Sequence, residues 1–333
     1  MSWAIAEDFV QQLAGRLTPE LAALLAAIDA EIGPQPDPTL LPPAQGRALS
    51  ERLNRRWNTD LPTMATVNEV IVPTDPILGS AECHMQILVP PHPGEGAILF
   101  IHGGGFAFCG PKTHERCTRL LAHESNLPLL VPDYRLAPEH PFPAGLRDVV
   151  ACLRLAFDMT SSTGTPRGPL LIAGDSAGAN LALAAMLHEH GAGRKLPDGA
   201  LLFYGVYGAD FETPSYRRFR DGPGLTTAKM QRYWDWYLPD APARNNPLAS
   251  PVHADEEALR ALPPLHLMAA EIDPLLSDTL ALAARLQTAR RQDQVHLVRG
   301  VTHGFLQMTI ALEEARKALK TAAWAARTMA RPG

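Results

Sequence analysis

No stretch of the 333-residue chain approaches the roughly 18 consecutive apolar residues of a membrane-spanning helix, so stable membrane insertion is not expected. There is no basic excess either: 30 Lys and Arg stand against 35 Asp and Glu, a formal charge of -5. That balance removes the electrostatic basis for nucleic acid or an anionic membrane surface as partner. Cysteine is sparse. Cys83, Cys109, Cys117 and Cys152 form no C-x-x-C pair and accompany no paired histidine spacing, so neither a metal site nor a disulfide framework is indicated. Residues 1–15 carry Glu7 and Asp8 and lack the basic cluster and apolar run of a secretory signal, which points to the cytoplasm. Charged residues at 20% and the AVILMFWYC set at 46% are ordinary for a globular protein with a sizeable core.

What is present reads as alternating helices and strands. Apolar positions recurring around Phe9, Leu13, Leu17, Leu21, Leu24, Leu25 and Ile28 predict one helix over residues 5–32, stopped by Gly33-Pro34. A second helix is expected over 44–57. Between them Pro34, Pro36, Pro38, Pro42 and Pro43 predict an extended connection rather than a packed element. Two partly alternating runs, Val67 to Val72 and His84 to Val89, read as antiparallel strands. Six apolar runs follow: Ala97 to Ile101, Leu129 to Val131, Leu170 to Ala173, Ala200 to Tyr204, Leu265 to Ala269 and Val295 to Val298. Most are separated by helix-length segments. The expected class is therefore α/β, a mostly parallel eight-stranded sheet with helices on both faces and strand carboxyl ends along one edge. The interval between Tyr204 and Leu265 is too long for a plain connection, and residues 208–250 read as a partly helical insertion over that edge. The organisation is then a helical segment 1–60 and an α/β body in two parts, 61–207 and 251–333, interrupted by 208–250.

One turn concentrates the chemistry. Leu170 to Ala173 leads into Gly174-Asp175-Ser176-Ala177-Gly178 and then a small-residue helical stretch: strand, tight turn, helix. The glycines relieve crowding in so sharp a bend and put Ser176 at its apex. A serine is a poor nucleophile unless a base removes its proton. His303, in Val301-Thr302-His303-Gly304-Phe305 after the last strand, reaches the same sheet edge. His188, His190, His253 and His296 are better explained as helix, loop or strand residues. A carboxylate that holds the base in one tautomer is supplied by Asp273, where Pro274 ends a strand; Glu271, two residues earlier, is the alternative. His102-Gly103-Gly104-Gly105-Phe106 follows an apolar strand, and its three glycines let backbone amides approach a substrate oxyanion. A dinucleotide fingerprint would need glycine at position 108, where Phe108 stands. His102 and Gly103 are expected to support the loop. Trp234, Trp236 and Tyr237 read first as packing of the insertion, with a pocket role the open alternative.

These motifs, with the run from Asp133 to Ala144 (Asp-Tyr-Arg-Leu-Ala-Pro-Glu-His-Pro-Phe-Pro-Ala) and Asp273-Pro274-Leu275, resemble the bacterial hormone-sensitive-lipase-like esterases. These are the family IV lipolytic enzymes of the α/β-hydrolase superfamily, and the resemblance covers about residues 65–325. It implies Ser176 as nucleophile, His303 as general base and acid, and Asp273 as its orienter. It further implies oxyanion donors from the backbones of Gly104, Gly105 and Ala177, and a cap made of the N-terminus and the later insertion. Phe106, Trp234, Tyr237 and Phe305 are the candidate pocket side chains. Asp175 places the chain in the Gly-Asp-Ser branch. It departs from the family at Ser277, where an acidic residue is common and Asp278 follows one position later; this departure is expected to touch local helix capping more than catalysis.

The expected function is a serine carboxylesterase acting on short- to medium-chain acyl esters through an acyl-enzyme, with no metal or organic cofactor. The alternative keeps the residues but takes an N-acetyl amide or acetylated small molecule. A purely binding role is the remote reading, since the receptor relatives lack the catalytic histidine and His303 is present. Besides a small-molecule ester, a homodimer is the one partner left open.

Overall fold

The computed structural model describes residues 3–160 and 168–330. The chain opens with helices α1 (Trp3–Gln12) and α2 (Pro19–Ile32), where a single helix was predicted. The break is built from outside the helices. Gly15 takes a φ of 60° and donates its N–H to Glu271 Oε1 at 3.0 Å, and Thr18 N donates to Gly300 O at 2.9 Å. Thr18 then caps α2, its hydroxyl accepting from Leu21 N, with Pro19 at the first helical position. The apolar period carries across the gap, so periodicity alone could not reveal it.

The proline-rich connection also corrects expectation. Pro38–Leu40 forms a 3₁₀ turn capped by Asp37, and Thr39 is buried. Helix α3 (Pro43–Asn54) follows, then strands β1 (Thr66–Val72), β2 (Cys83–Val89) and β3 (Ala97–Ile101). Next come α4 (Glu115–Ser125), β4 (Leu129–Pro132), α5 (Ala144–Thr160), β5 (Leu170–Asp175), α6 (Ala177–Gly191) and β6 (Gly199–Phe203). Residues 208–250 carry α7 (Pro214–Arg218) and α8 (Thr227–Tyr237). The chain closes with α9 (Glu256–Ala261), β7 (Leu265–Ile272), α10 (Leu276–Thr288), β8 (Val295–Thr302) and α11 (Glu313–Met329).

The eight strands form one sheet in the order β1-β2-β4-β3-β5-β6-β7-β8, antiparallel across β1-β2-β4 and parallel from there. Side chains alternate between its two faces. Leu99, Ile101, Leu170, Ile172 and Leu202 pack with α5 and α6, whereas Ile98, Phe100, Leu171, Ala173, Leu201 and Phe203 pack with α4 and α11. Both faces are covered, which is why these strands read as continuous apolar runs rather than alternating ones. Register aligns the strand ends: Ile101 lies opposite Gly174, Asp175 opposite Phe203, and Ile272 opposite Thr302. The loops that leave β3, β5, β7 and β8 therefore start side by side. Among the described residues no helix is long and apolar enough to cross a membrane.

Candidate active site

Ser176 sits between β5 and α6 with φ 54° and ψ -121°, a backbone conformation that a side-chain-bearing residue adopts only when its surroundings enforce it. Here they do. Ser176 N donates to Phe203 O at 2.9 Å, and its carbonyl accepts from Ala179 and Val206 N–H groups. A Cβ on Gly178 would run into the Ile101 carbonyl, so helix α6 can approach β3 only with glycine there. Ala177 opens α6, which makes its N–H one of the donors a helix start leaves free.

His303 and Asp273 are the residues immediately after the paired Thr302 and Ile272, and both converge on Ser176. His303 Nε2 lies 2.9 Å from Ser176 Oγ and His303 Nδ1 lies 2.7 Å from Asp273 Oδ2. Asp273 is fully buried, and its other oxygen accepts from Leu275 N at 2.9 Å. A carboxylate at Nδ1 keeps the proton on that nitrogen and leaves Nε2 free to accept from the serine hydroxyl. The Tyr204 ring stands edge-on to the imidazole with centroids 4.9 Å apart, limiting its rotation. Glu271, the alternative carboxylate, faces away: its two oxygens accept from Gly15 N and Gly300 N, at 3.0 and 2.7 Å.

The glycine loop lies alongside. Gly103 N donates to Asp175 Oδ1 at 2.8 Å, so the residue before Ser176 holds the loop facing it. Burial, reinforced by neighbouring His114, lowers the His102 imidazole to about 3, so the ring is neutral and its Nδ1–H donates to Gly103 O at 2.8 Å. Tyr134 stacks on that ring at 4.3 Å and donates its hydroxyl to His102 O. His114, which no sequence motif marks, is buried with Nε2 3.1 Å from Asp175 Oδ1. Burial pushes the Asp175 carboxyl up, but His114 and the Gly103 N–H outweigh it and hold the group below its usual range. Nothing in the chain's linear order links position 114 to 175.

The candidate pocket side chains are buried. Phe106 stacks on Tyr237 at 3.7 Å and tilts against Trp234 at 6.0 Å, while Phe305 packs against Tyr204 at 5.6 Å. The side chain that faces the glycine loop from α8 is instead Tyr233, whose ring occupies the place a Cβ on Gly105 would take. Phe108 and Trp236 flank it at 5.8 and 6.3 Å. Ser277 does not act as a helix cap. It exchanges hydrogen bonds with Ser215, tying α7 to α10, and Asp278 accepts from Tyr207 N and Gly208 N at 2.8 and 3.0 Å. A cavity of about 770 Å³ opens beside this junction, between residues 208–213 and α10, with Phe211, Asp278, Leu280 and Arg285 in its wall. Neither Ser176 nor His303 lines it, so its size carries no weight for the chemistry at the serine.

A family model described as an alpha/beta hydrolase fold matches residues 98–307. Among solved structures, an alpha/beta hydrolase enzyme from the metagenome of Lake Arreo, Spain, is 31% identical, with a TM-score of 0.86 over 94% of this chain and 98% of that one. The hyperthermophilic esterase of the archaeon Pyrobaculum calidifontis is 27% identical, with a TM-score of 0.84 over 95% and 99% of the two chains. A thermostable esterase from Pseudomonas putida is 28% identical, with a TM-score of 0.86 over 96% and 99%.

Proposed function

The chain belongs to the alpha/beta hydrolase fold family, and on that premise we propose that it is a serine carboxylesterase whose nucleophile is Ser176. Ser176 Oγ attacks the ester carbonyl carbon while its proton passes to His303 Nε2. Asp273, at Nδ1, stabilises the imidazolium that forms. The carbonyl oxygen becomes an oxyanion and is met by the N–H groups of Gly104, Gly105 and Ala177. The alcohol leaves with the proton from Nε2, and a water activated by the same nitrogen releases the acid. What supports this reading is one unbroken hydrogen-bonded line, Asp273 Oδ2 to His303 Nδ1 at 2.7 Å and Nε2 to Ser176 Oγ at 2.9 Å. Ser176→Ala removes the nucleophile alone: p-nitrophenyl butyrate hydrolysis should fall by at least roughly 10⁴-fold with circular dichroism unchanged. Retained turnover in the folded variant rejects the assignment.

Short acyl groups are the favoured substrates, because Tyr233, Phe108 and Trp236 crowd the glycine loop. In a series of p-nitrophenyl esters kcat/KM should peak at acetate or butyrate, and Tyr233→Ala should raise the octanoate-to-acetate ratio roughly tenfold. A ratio that does not move removes Tyr233 from the pocket. The cytoplasm fits four cysteines that are all free thiols.

A further inference from the structure

The glycine loop is held in an unusual shape. Gly104, Gly105, Phe106 and Cys109 all have positive φ, at 119°, 60°, 62° and 70°, and two of them carry side chains. Such a backbone persists only where neighbours fix it. One neighbour comes from outside the α/β body: Arg47, on α3, whose guanidinium grips three separate points of the chain. Nε donates to Ala107 O at 2.8 Å, Nη2 donates to Ala137 O at 2.8 Å, and the pair of Nη groups embraces the Glu139 carboxylate at 2.9 and 2.5 Å. Ala137 N in turn donates to Phe106 O at 2.9 Å, so both Arg47 and its partner strand of chain close on residues 106 and 107.

Peptide planarity turns this grip into an orientation. In a trans peptide the carbonyl of one residue and the N–H of the next point in opposite directions. With Ala107 O turned toward Arg47, the Phe108 N–H of the same peptide points the other way, and it donates to Gly104 O at 2.9 Å. Ala107 N donates to the same carbonyl at 3.1 Å. Gly104 O being held there, the Gly105 N–H of that peptide must point to the opposite side. Two rigid peptide planes therefore connect the Arg47 guanidinium to the Gly105 N–H. We propose that Arg47 is a positioning residue that keeps the Gly104–Gly105 peptide turned with its N–H toward Ser176, so that the N-terminal segment completes the oxyanion hole. Lysine cannot replace it, because a single ammonium lacks the fork that spans two carbonyls and a carboxylate.

Because the donor role of Gly105 rests on the ester-hydrolase reading, two readouts are needed. In Arg47→Ala the kcat for p-nitrophenyl butyrate should fall roughly 10- to 100-fold with KM within about threefold, since the lost interaction is realised only in the transition state. A trifluoromethyl ketone, which forms the oxyanion on Ser176, should lose affinity in parallel. Arg47→Lys should recover little. Arg56→Ala, which breaks only the exposed Arg56–Glu31 pair on the same segment, should leave kcat unchanged. Should Arg47→Ala not fold, Glu139→Gln loosens the same guanidinium and must lower kcat in the same direction. A lower melting temperature with full kcat overturns the positioning role. A crystal structure of the Arg47 variant reads the Gly104–Gly105 peptide directly: an unmoved peptide also overturns it. Wild-type protein without ester turnover would reject the esterase reading instead, and the peptide orientation in the variant would still decide the role of Arg47.

Discussion

Asp273 and Glu271 stand two positions apart at the end of β7, both buried, and do unrelated work. Asp273 holds the imidazole of His303, whereas Glu271 accepts from two backbone N–H groups, those of Gly15 and Gly300, where the N-terminal segment meets the sheet edge. Asp273→Asn should keep the geometry but favour the wrong tautomer of His303, lowering kcat by roughly 10³- to 10⁴-fold. Single-turnover kinetics with a p-nitrophenyl ester at pH 7 checks this; a loss below about tenfold would remove Asp273 from the line to Ser176. The three residues of that line were legible because the chemistry admits few residue types and each follows a strand that ends at one edge. His114 and Tyr233 were not legible. Their partners, Asp175 and Gly105, are fixed by the folding of distant loops, and neither residue sits in a motif of its own.

At the scale of elements, the central strands were readable from composition alone because both faces of the sheet are covered. The N-terminal segment was not, because tertiary bonds decide where its helices stop. A helical period of apolar residues runs through Gly15, and the chain turns there because Glu271 and Gly300 bind Gly15 and Thr18 while the Arg218 guanidinium donates to the Val10 and Leu13 carbonyls. The proline-rich connection was misread for the same reason, since Arg232 on α8 reaches Asp37 at 2.7 Å and Thr39 at 2.6 Å and makes the turn part of the packed structure. Glu271→Ala should therefore act on an element rather than on the chemistry. The buried Gly300 N–H loses its acceptor at about 1–3 kcal/mol and the half-buried Gly15 N–H at less. The turn between α1 and α2 should loosen while α1 stays held by Arg218 and by Val10 and Leu13 against Ala269 and Leu276. Limited proteolysis should then cut between Gln12 and Pro19 while ester hydrolysis at low temperature stays within about threefold. Protection of that segment in the variant would show that other bonds anchor it.

Over the whole molecule, three of the buried groups with displaced pKa values bear on how stability responds to pH between about 4 and 8. Burial first, then a neighbouring histidine, lowers His102 to about 3 and His266 to about 4, from 6.5. Between those values the folded state binds fewer protons than the unfolded chain, so stability should fall as pH drops below about 6.5. Asp278 works in the opposite sense: burial raises it from 3.8 to about 8, against the two N–H groups it accepts. The folded state there binds more protons than the unfolded chain, so stability declines as pH rises toward 8 and is flat beyond. With the histidines no longer titrating above 6.5, Asp278 governs the interval from 6.5 to 8. One proton contributes about 1.4 kcal/mol per pH unit, giving a loss of roughly 2 kcal/mol across it. His84, raised by its hydrogen bond to Glu69, acts in the same direction, but that pair is exposed and screened by solvent. Asp278→Asn separates the two, because the amide oxygen still accepts from Tyr207 and Gly208 while the titration is gone. Melting temperatures of wild type and variant should converge only as pH falls to about 3.8 and should separate steadily from there toward pH 8, the variant being the more stable. Curves that stay parallel across that range would place the Asp278 carboxyl outside the pH response and leave its hydrogen bonds as its whole contribution.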